Sequence, residues 1–114
     1  MRIISFSWTT KALLQGKKTV TRRRWQKCPI KPEDLIQAYD RSPRVRGKCV
    51  AIIKILNTRQ EPLNCVTDAE EVLEGGLWGS GKAFIQSWMD TYPDDTPDSM
   101  VWRIEFKIIK RISK

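Results

Sequence analysis

Alternating apolar and polar residues predict four strands along the chain. Near the N-terminus, Ile4, Phe6 and Trp8 occupy every second position, as in a half-buried strand. A second strand begins at about Thr19, where β-branched residues alternate with cations. Residues 48–56 are apolar at both alternating positions, which favours a central strand. The last strand is one-sided, with Trp102, Ile104, Phe106 and Ile108 on one face and Arg103, Glu105 and Lys107 on the other.

Two short helices are predicted in the first half of the chain. Thr9 or Thr10 can cap a helix that Gly16 ends by taking a left-handed conformation. Pro32, followed by two acidic residues and by apolar residues spaced for one face, predicts a second helix over residues 32–39.

Two further helices are predicted in the second half. Thr67, with Glu70 three positions later, forms a capping-box pattern for a helix that runs to about Leu73. The next helix carries one apolar stripe, formed by Phe84, Ile85, Trp88, Met89 and Tyr92. We interpret this stripe as core and not as a ligand-binding surface.

These elements predict an α+β domain. Strands separated by short helices, without regular βαβ alternation, favour a curved mixed sheet or a small barrel. A chain of 114 residues can form one hydrophobic core of ordinary size and is too short for two. We therefore expect a single domain over residues 1–114.

Charge is distributed unevenly between the two halves of the chain. Residues 1–57 hold 14 Lys and Arg against three acidic residues, whereas residues 58–114 hold seven against ten. This asymmetry predicts a cationic face and an anionic partner, such as a phosphate-bearing ligand. Cations that only maintained solubility would be scattered evenly, and the consecutive Arg22, Arg23 and Arg24 argue against that alternative.

The residue types present exclude several classes of site. The chain contains no histidine, which excludes Ser-His-Asp and Cys-His catalysis and the common histidine-based metal sites. Cys28, Cys49 and Cys65 show neither a disulfide framework nor the close pairs of a zinc site. We therefore expect no metal and no cofactor, and a reducing, cytoplasmic location. No secretory signal or membrane span is predicted.

Three stretches together resemble the ASCH domain family, which has a PUA-like fold. The first is Ser7 and Trp8 followed by the string Gly-Lys-Lys-Thr-Val-Thr-Arg-Arg at residues 16–23 and by Trp25. The second comprises residues 61–64, residues 66–68 and the Glu74-Gly75 pair. The third comprises residues 84–92 and 102–106. The string at residues 16–23 is the most specific of these.

The resemblance implies a small mixed β-barrel with short helices at its openings and a basic cleft whose floor is the Gly-Lys-Lys-Thr segment. Such domains are generally taken to bind RNA or nucleotides. One branch hydrolyses the acetyl amide of N4-acetylcytidine with a lysine, a threonine and a glutamate, and some members are reported to cleave RNA. By motif, those three roles would fall on Lys18, Thr21 and Glu74.

Each of these three residues has a catalytic and a non-catalytic interpretation. Lys18 is a general base, if neighbouring cations and burial lower its pKa, or a phosphate-binding cation, which we favour. Thr21 attacks the carbonyl, orients a water or fills a strand position. Glu74 gives a proton to the leaving amine, pairs with an arginine or caps a helix. Arg22 or Arg23 would stabilise the oxyanion. Lys18 and Thr21 share a site only if Lys18 lies in the turn or a bulge intervenes.

The ligand-binding residues are predicted from cations and aromatic rings. Single-stranded RNA recognition uses aromatic faces beside cations. Trp25 is the preferred stacking residue, followed by Trp78 and Trp8, whereas Trp88 and Trp102 are expected in the core. Candidate cationic contacts are Lys17, Lys18, Arg22, Arg23 and Arg24, with either Arg23 or the Arg22 and Arg24 pair reaching the ligand.

Three functions remain open at this point. The leading hypothesis is a module that binds single-stranded RNA or a nucleotide, and the second is a small hydrolase acting on an acylated nucleoside or on RNA. The third, a protein-interaction domain, requires a large exposed apolar patch near the cationic face.

Overall fold

Two long antiparallel strands form the centre of the sheet. A computed structural model describes residues 1–112. Strand β4 (Cys49–Pro62) pairs with β5 (Met100–Arg111) from Ala51 opposite Arg111 to Pro62 opposite Met100, with two bulges on the way. Because the first half of β4 is apolar on both faces, it can be covered on both sides. The predicted central strand is thus confirmed.

Three shorter strands complete the sheet. Strand β1 (Ile3–Ser5) is parallel to β3 (Leu35–Tyr39), which pairs antiparallel with β4, and β2 (Val20–Arg23) pairs antiparallel with β5. The order is β1-β3-β4-β5-β2. Within residues 1–112 the edge strands β1 and β2 do not pair, so the sheet is open. The α+β class is confirmed, but a closed barrel is not.

The helix predicted over residues 32–39 is wrong, because Leu35–Tyr39 is strand β3. Ile36 and Ala38 are buried on one face of this strand, while its other positions are more exposed. Glu33 has a φ of 79°, which a regular helix cannot accommodate. Pairing with β1 on one side and β4 on the other outweighs the local helical pattern.

The other predicted helices are present. Helix α1 spans Thr10–Leu14 and is followed by Gly16 with a φ of 76°, the predicted left-handed end. Helix α2 spans Asp68–Leu73, and the Thr67 hydroxyl accepts the Glu70 backbone N–H at 3.2 Å, as the capping-box pattern predicts. Helix α3 spans Gly81–Thr91. In the part of the chain described, no helix is long and apolar enough to cross a membrane.

Two hydrophobic clusters meet along β5. The larger cluster contains Ile104 and Phe106 of β5 together with the buried faces of β3 and β4. The smaller cluster contains Val101 of β5 together with Phe84 and Trp88 of α3. Between these clusters, the sheet carries the buried polar side chains described below.

Candidate functional site

A cleft lies between the turn that follows β1, strand β2 and helix α3. Its volume is about 400 Å³, within the range of small-ligand sites. The polar residues that line it include Lys18, Thr21 and Glu74, the three residues assigned by motif. The structure therefore brings these three side chains to one cleft.

Backbone hydrogen bonds explain why Lys18 and Glu74 meet. Lys18 lies in the turn before β2, where its N–H donates to the carbonyl of Ala12 at 3.1 Å. The next N–H, that of Thr19, donates to the carbonyl of Leu73 at 2.8 Å and so joins this turn to the end of α2. Glu74 follows directly as the C-cap residue. Since Lys18 precedes the strand, it can share the cleft with Thr21.

Lys18 and Glu74 form a buried ion pair. The Lys18 Nζ donates to Glu74 Oε1 at 2.7 Å and to the Glu74 carbonyl at 3.1 Å. Burial lowers the pKa of Lys18; Glu74 opposes this change, and the cations of Arg23 and Arg22 reinforce it. Burial therefore favours the neutral form of Lys18, the form that a general base requires.

The Thr21 hydroxyl is available for chemistry. Thr21 is buried on β2 and lines the cleft. Its hydroxyl makes no hydrogen bond within residues 1–112. A hydroxyl without a partner beside a lysine and a glutamate can attack an electrophile or orient a water.

The positive charge of Arg22 is buried and balanced by carboxylates. Its guanidinium is fully buried and contacts three carboxylates, those of Glu61, Glu70 and Glu74. Arg103 of β5 shares Glu70 with it, at 2.7 Å from Nε to Oε1. Hydrogen bonds from Arg103, joined by those from Arg22, lower the pKa of Glu70 to about 2 against the effect of burial. The pairing of Glu74 with an arginine was one of the interpretations of that residue. The contributions of Glu61 and Glu70 were not predicted, because these residues lie 39 and 48 positions from Arg22 along the chain.

Arg23 differs from its neighbours because no carboxylate in the described chain pairs with it. Its Nη2 donates to the Ser5 carbonyl at 2.9 Å, and its guanidinium lies 5.4 Å from the ring centroid of Phe6. Its Nε is buried without a hydrogen-bond partner. Arg23 lines the cleft and is thus a cation with unused hydrogen-bonding capacity.

Arg24 does not line the cleft and is paired. Its Nε lies 3.0 Å from Asp95 Oδ2, its side chain is 46% exposed, and its guanidinium is 5.0 Å from the ring centroid of Tyr92. With Lys18 and Arg22 also paired, Arg23 is left as the unpaired cation of the arginine run within residues 1–112. The predicted basic cleft is not confirmed, because carboxylates neutralise most of its cations.

Aromatic side chains line much of the cleft. The row runs through Trp8, Trp78, Phe84, Trp88 and Tyr92, with successive ring centroids 4.6 to 6.3 Å apart. The α3 stripe was expected to be core alone. Phe84 and Trp88 do pack in the smaller cluster, but together with Tyr92 they also line the cleft. Their spacing along one helix face, at every fourth position, is the sequence signal for this second role.

Two further predicted contact residues lie outside this cleft. Trp25 packs against the larger hydrophobic cluster and lines a separate groove with Arg2 and Ile30. Lys17 is exposed in the turn before β2 and does not line the cleft. Among residues 1–112, no group of three His, Cys, Asp or Glu side chains is arranged to hold a metal ion.

No sequence-family model and no curated protein matches the chain. In structure it is similar to the ASCH domain from Lactobacillus crispatus JV V101, with a TM-score of 0.70 and 13% identity over 96% of this chain and 81% of that chain. It is also similar to ASCH from Zymomonas mobilis, with a TM-score of 0.63 and 22% identity over 97% of this chain and 71% of that one. A DUF984 protein from Enterococcus faecalis V583 matches with a TM-score of 0.67 and 15% identity over 95% and 74% of the two chains. The chain has an ASCH-type fold.

Proposed function

We propose that the cleft binds one nucleoside unit, either in a free nucleotide or as an exposed base of single-stranded RNA. The observation that carries this proposal is a row of aromatic rings in the same cleft as Arg23, a cation with no carboxylate partner among residues 1–112. A base offers a flat π-face and polar edges, which suit a stacking surface and a nearby donor. The ASCH-type fold supports the same class of ligand.

Titration of nucleoside monophosphates against the protein, followed by tryptophan fluorescence, tests this proposal. We expect saturable quenching, because Trp8 and Trp78 line the cleft. Arg23→Gln should weaken binding by about tenfold or more, as loss of a charge-assisted hydrogen bond does. Arg24→Gln is the matched control and should bind like the parent protein. The proposal is wrong if the parent protein binds neither nucleotides nor short RNA. It is also wrong if Arg23→Gln and Arg24→Gln bind nucleotides equally well.

A second function, hydrolysis of an acylated base, is favoured by the 2.7 Å contact between Lys18 and Glu74 in a cleft that Thr21 also lines. In this mechanism the ion pair first transfers a proton from Lys18 to Glu74, and the resulting neutral pair is the starting state for the attack. Thr21 Oγ attacks the amide carbonyl carbon as Lys18 Nζ takes the hydroxyl proton, and Arg23 stabilises the oxyanion.

The remaining steps return both groups to their starting state. The carbon–nitrogen bond breaks as Glu74 gives its proton to the leaving amine, which leaves an acyl ester on Thr21. Water then attacks this ester and gives a proton to Glu74. The Thr21 oxygen leaves with the proton held by Lys18, and the acid is released.

Release of cytidine and acetate from N4-acetylcytidine measures this activity directly. Thr21→Val has nearly the same shape and should abolish turnover, whereas Thr21→Ser keeps a hydroxyl and should retain part of it. Both variants should still bind cytidine monophosphate. Undiminished turnover in Thr21→Val would remove Thr21 from the mechanism, and no turnover by the parent protein would leave binding as the function of the cleft.

A further inference from the structure

The loop between β3 and β4 concentrates positive charge at the surface. Residues 41–48, hereafter the basic loop, contain Arg41, Arg44, Arg46 and Lys48. All four side chains are exposed. The acidic residue beside the loop is Asp40, so residues 40–48 carry four cationic side chains and one acidic side chain. Since carboxylates neutralise most of the cleft's cations, the excess charge of the first half lies partly here.

Hydrogen bonds within the basic loop fix its backbone. The Ser42 hydroxyl accepts the Arg44 N–H at 3.2 Å, and the Ser42 carbonyl accepts the Gly47 N–H at 3.0 Å. Asp40 Oδ1 accepts the Lys48 N–H at 2.8 Å. The cations are therefore presented on an ordered scaffold, which reduces the entropy lost on binding.

The basic loop leaves the sheet beside the mouth of the cleft. The Phe6 N–H donates to the Tyr39 carbonyl at 2.8 Å, and the Thr10 hydroxyl donates to the Asp40 carbonyl at 3.4 Å. Trp8 lies between these two contacts along the chain, with 66% of its surface exposed. The aromatic row thus begins next to the point where the loop starts.

The end of β5 carries two further exposed cations. Lys110 lies opposite Ile52 and Arg111 lies opposite Ala51, close to the start of β4 where the basic loop ends. Two more cations therefore lie at this end of the sheet. A chain of regularly spaced negative charges can contact such a surface at several points, which a single small anion cannot do.

We infer that the basic loop binds the phosphate backbone of a single-stranded nucleic acid, one base of which enters the cleft. The inference rests on the proposed nucleoside site and adds its partner: a strand of several nucleotides and not a free nucleotide. Cations that follow the backbone beside a stacking surface are the general arrangement for single-stranded nucleic acids.

Binding of a short RNA across a salt series tests this inference. The loop variant carries Arg41→Gln, Arg44→Gln and Arg46→Asn; asparagine suits the φ of 64° at position 46. The matched control carries Lys27→Gln, Lys31→Gln and Lys82→Gln, three exposed cations elsewhere with the same loss of charge. An RNA of about ten nucleotides is long enough for one binding site of this kind.

We expect the loop variant to bind this RNA about tenfold or more weakly at low salt, and the slope of log affinity against log salt to fall by about two, since each phosphate contact on a single strand contributes about 0.7. The control should keep nearly the parent slope. Cytidine monophosphate binding should be unchanged in both variants. Equal losses in the loop and control variants, or no RNA binding by the parent protein, would overturn the inference.

The two proposals can fail separately. RNA binding that depends on the loop but not on Arg23 or Trp8, without nucleotide binding, would reject the nucleoside site and the base in the cleft. Nucleotide binding with loop-independent RNA binding would reject the loop inference alone. Tighter, loop-dependent binding to phosphatidylserine vesicles than to RNA would make a lipid surface the partner and overturn the inference.

Discussion

The Lys18 ammonium lies 2.7 Å from the Glu74 carboxylate, and both side chains are almost fully buried. The pairing is unequal: Glu74 also accepts a hydrogen bond from Arg22 at 3.0 Å, whereas both hydrogen bonds of Lys18 go to Glu74. Loss of one partner therefore has a different consequence from loss of the other.

Glu74→Gln should destabilise the protein more than Lys18→Met. The glutamine variant leaves a buried ammonium without a counter-charge, and such losses cost about 3–5 kcal/mol. The methionine variant leaves Glu74 paired with Arg22, and we expect a loss of about 1–2 kcal/mol. Urea unfolding of the two variants measures the difference. Equal losses of stability in the two variants would show that Glu74 is not the main counter-charge of Lys18.

Acid should destabilise the protein through Glu70. Its folded pKa is about 2 and its ordinary value is 4.5, so the unfolded chain binds a proton first as the pH falls. The stability that Glu70 contributes is present above pH 4.5 and is lost progressively towards pH 2. We expect a loss of about 1–2 kcal/mol, because solvent screens part of the interaction. Glu70→Gln should show a flatter pH dependence over this range. If the stability of Glu70→Gln depended on pH as steeply as that of the parent protein, Glu70 would not be the source of the acid sensitivity.

Substitution of two tryptophans should distinguish an effect on nucleotide binding from an effect on stability. Trp8 is 66% exposed, so Trp8→Ala should change the free energy of unfolding by less than about 0.5 kcal/mol. Its nucleotide binding should fall by about 1–3 kcal/mol if the ring stacks on a base. Trp25→Ala should instead lose about 2–4 kcal/mol of stability, because this ring packs against the larger cluster. Loss of nucleotide binding in a still-folded Trp25→Ala would contradict this division.

The two glycines after Glu74 should respond differently to alanine. Gly75 has a φ of 125°, a conformation almost restricted to glycine, and a Cβ there would lie 3.1 Å from the Cβ of Ala12. Gly76 has a φ of 70° and open space around it. We expect losses of about 2–3 kcal/mol for Gly75→Ala and about 1 kcal/mol for Gly76→Ala. Thermal unfolding measures both, and the reverse order would show that the turn relaxes.

Local sequence patterns predicted most elements, because their causes are local. The capping box at Thr67 and the left-handed Gly16 depend on residues within one turn. Strand β3 was missed because the spacing of Leu35, Ile36 and Tyr39 also fits a helix, and only its two neighbouring strands decide between the alternatives.

The sequence predicted several residues of the candidate site but not how their charges are paired. The resemblance to the ASCH domain family pointed to Lys18, Thr21 and Glu74, which line one cleft. No local pattern indicates that Glu61, Glu70 and Glu74 converge on Arg22 from distant elements. A run of arginines was therefore read as a charged surface, although its first member is internal.

Strand β5 belongs to both hydrophobic clusters, through Val101 on one side and Ile104 on the other. Neither cluster can lose its packing without exposing apolar surface on the strand that supports the other. The two clusters should therefore unfold together, with one common free energy of unfolding. In hydrogen exchange, the slowest-exchanging amides of β5 should report the global unfolding of the protein. An α3 substitution that weakens the smaller cluster would then lower the thermal midpoint of the whole molecule in one transition.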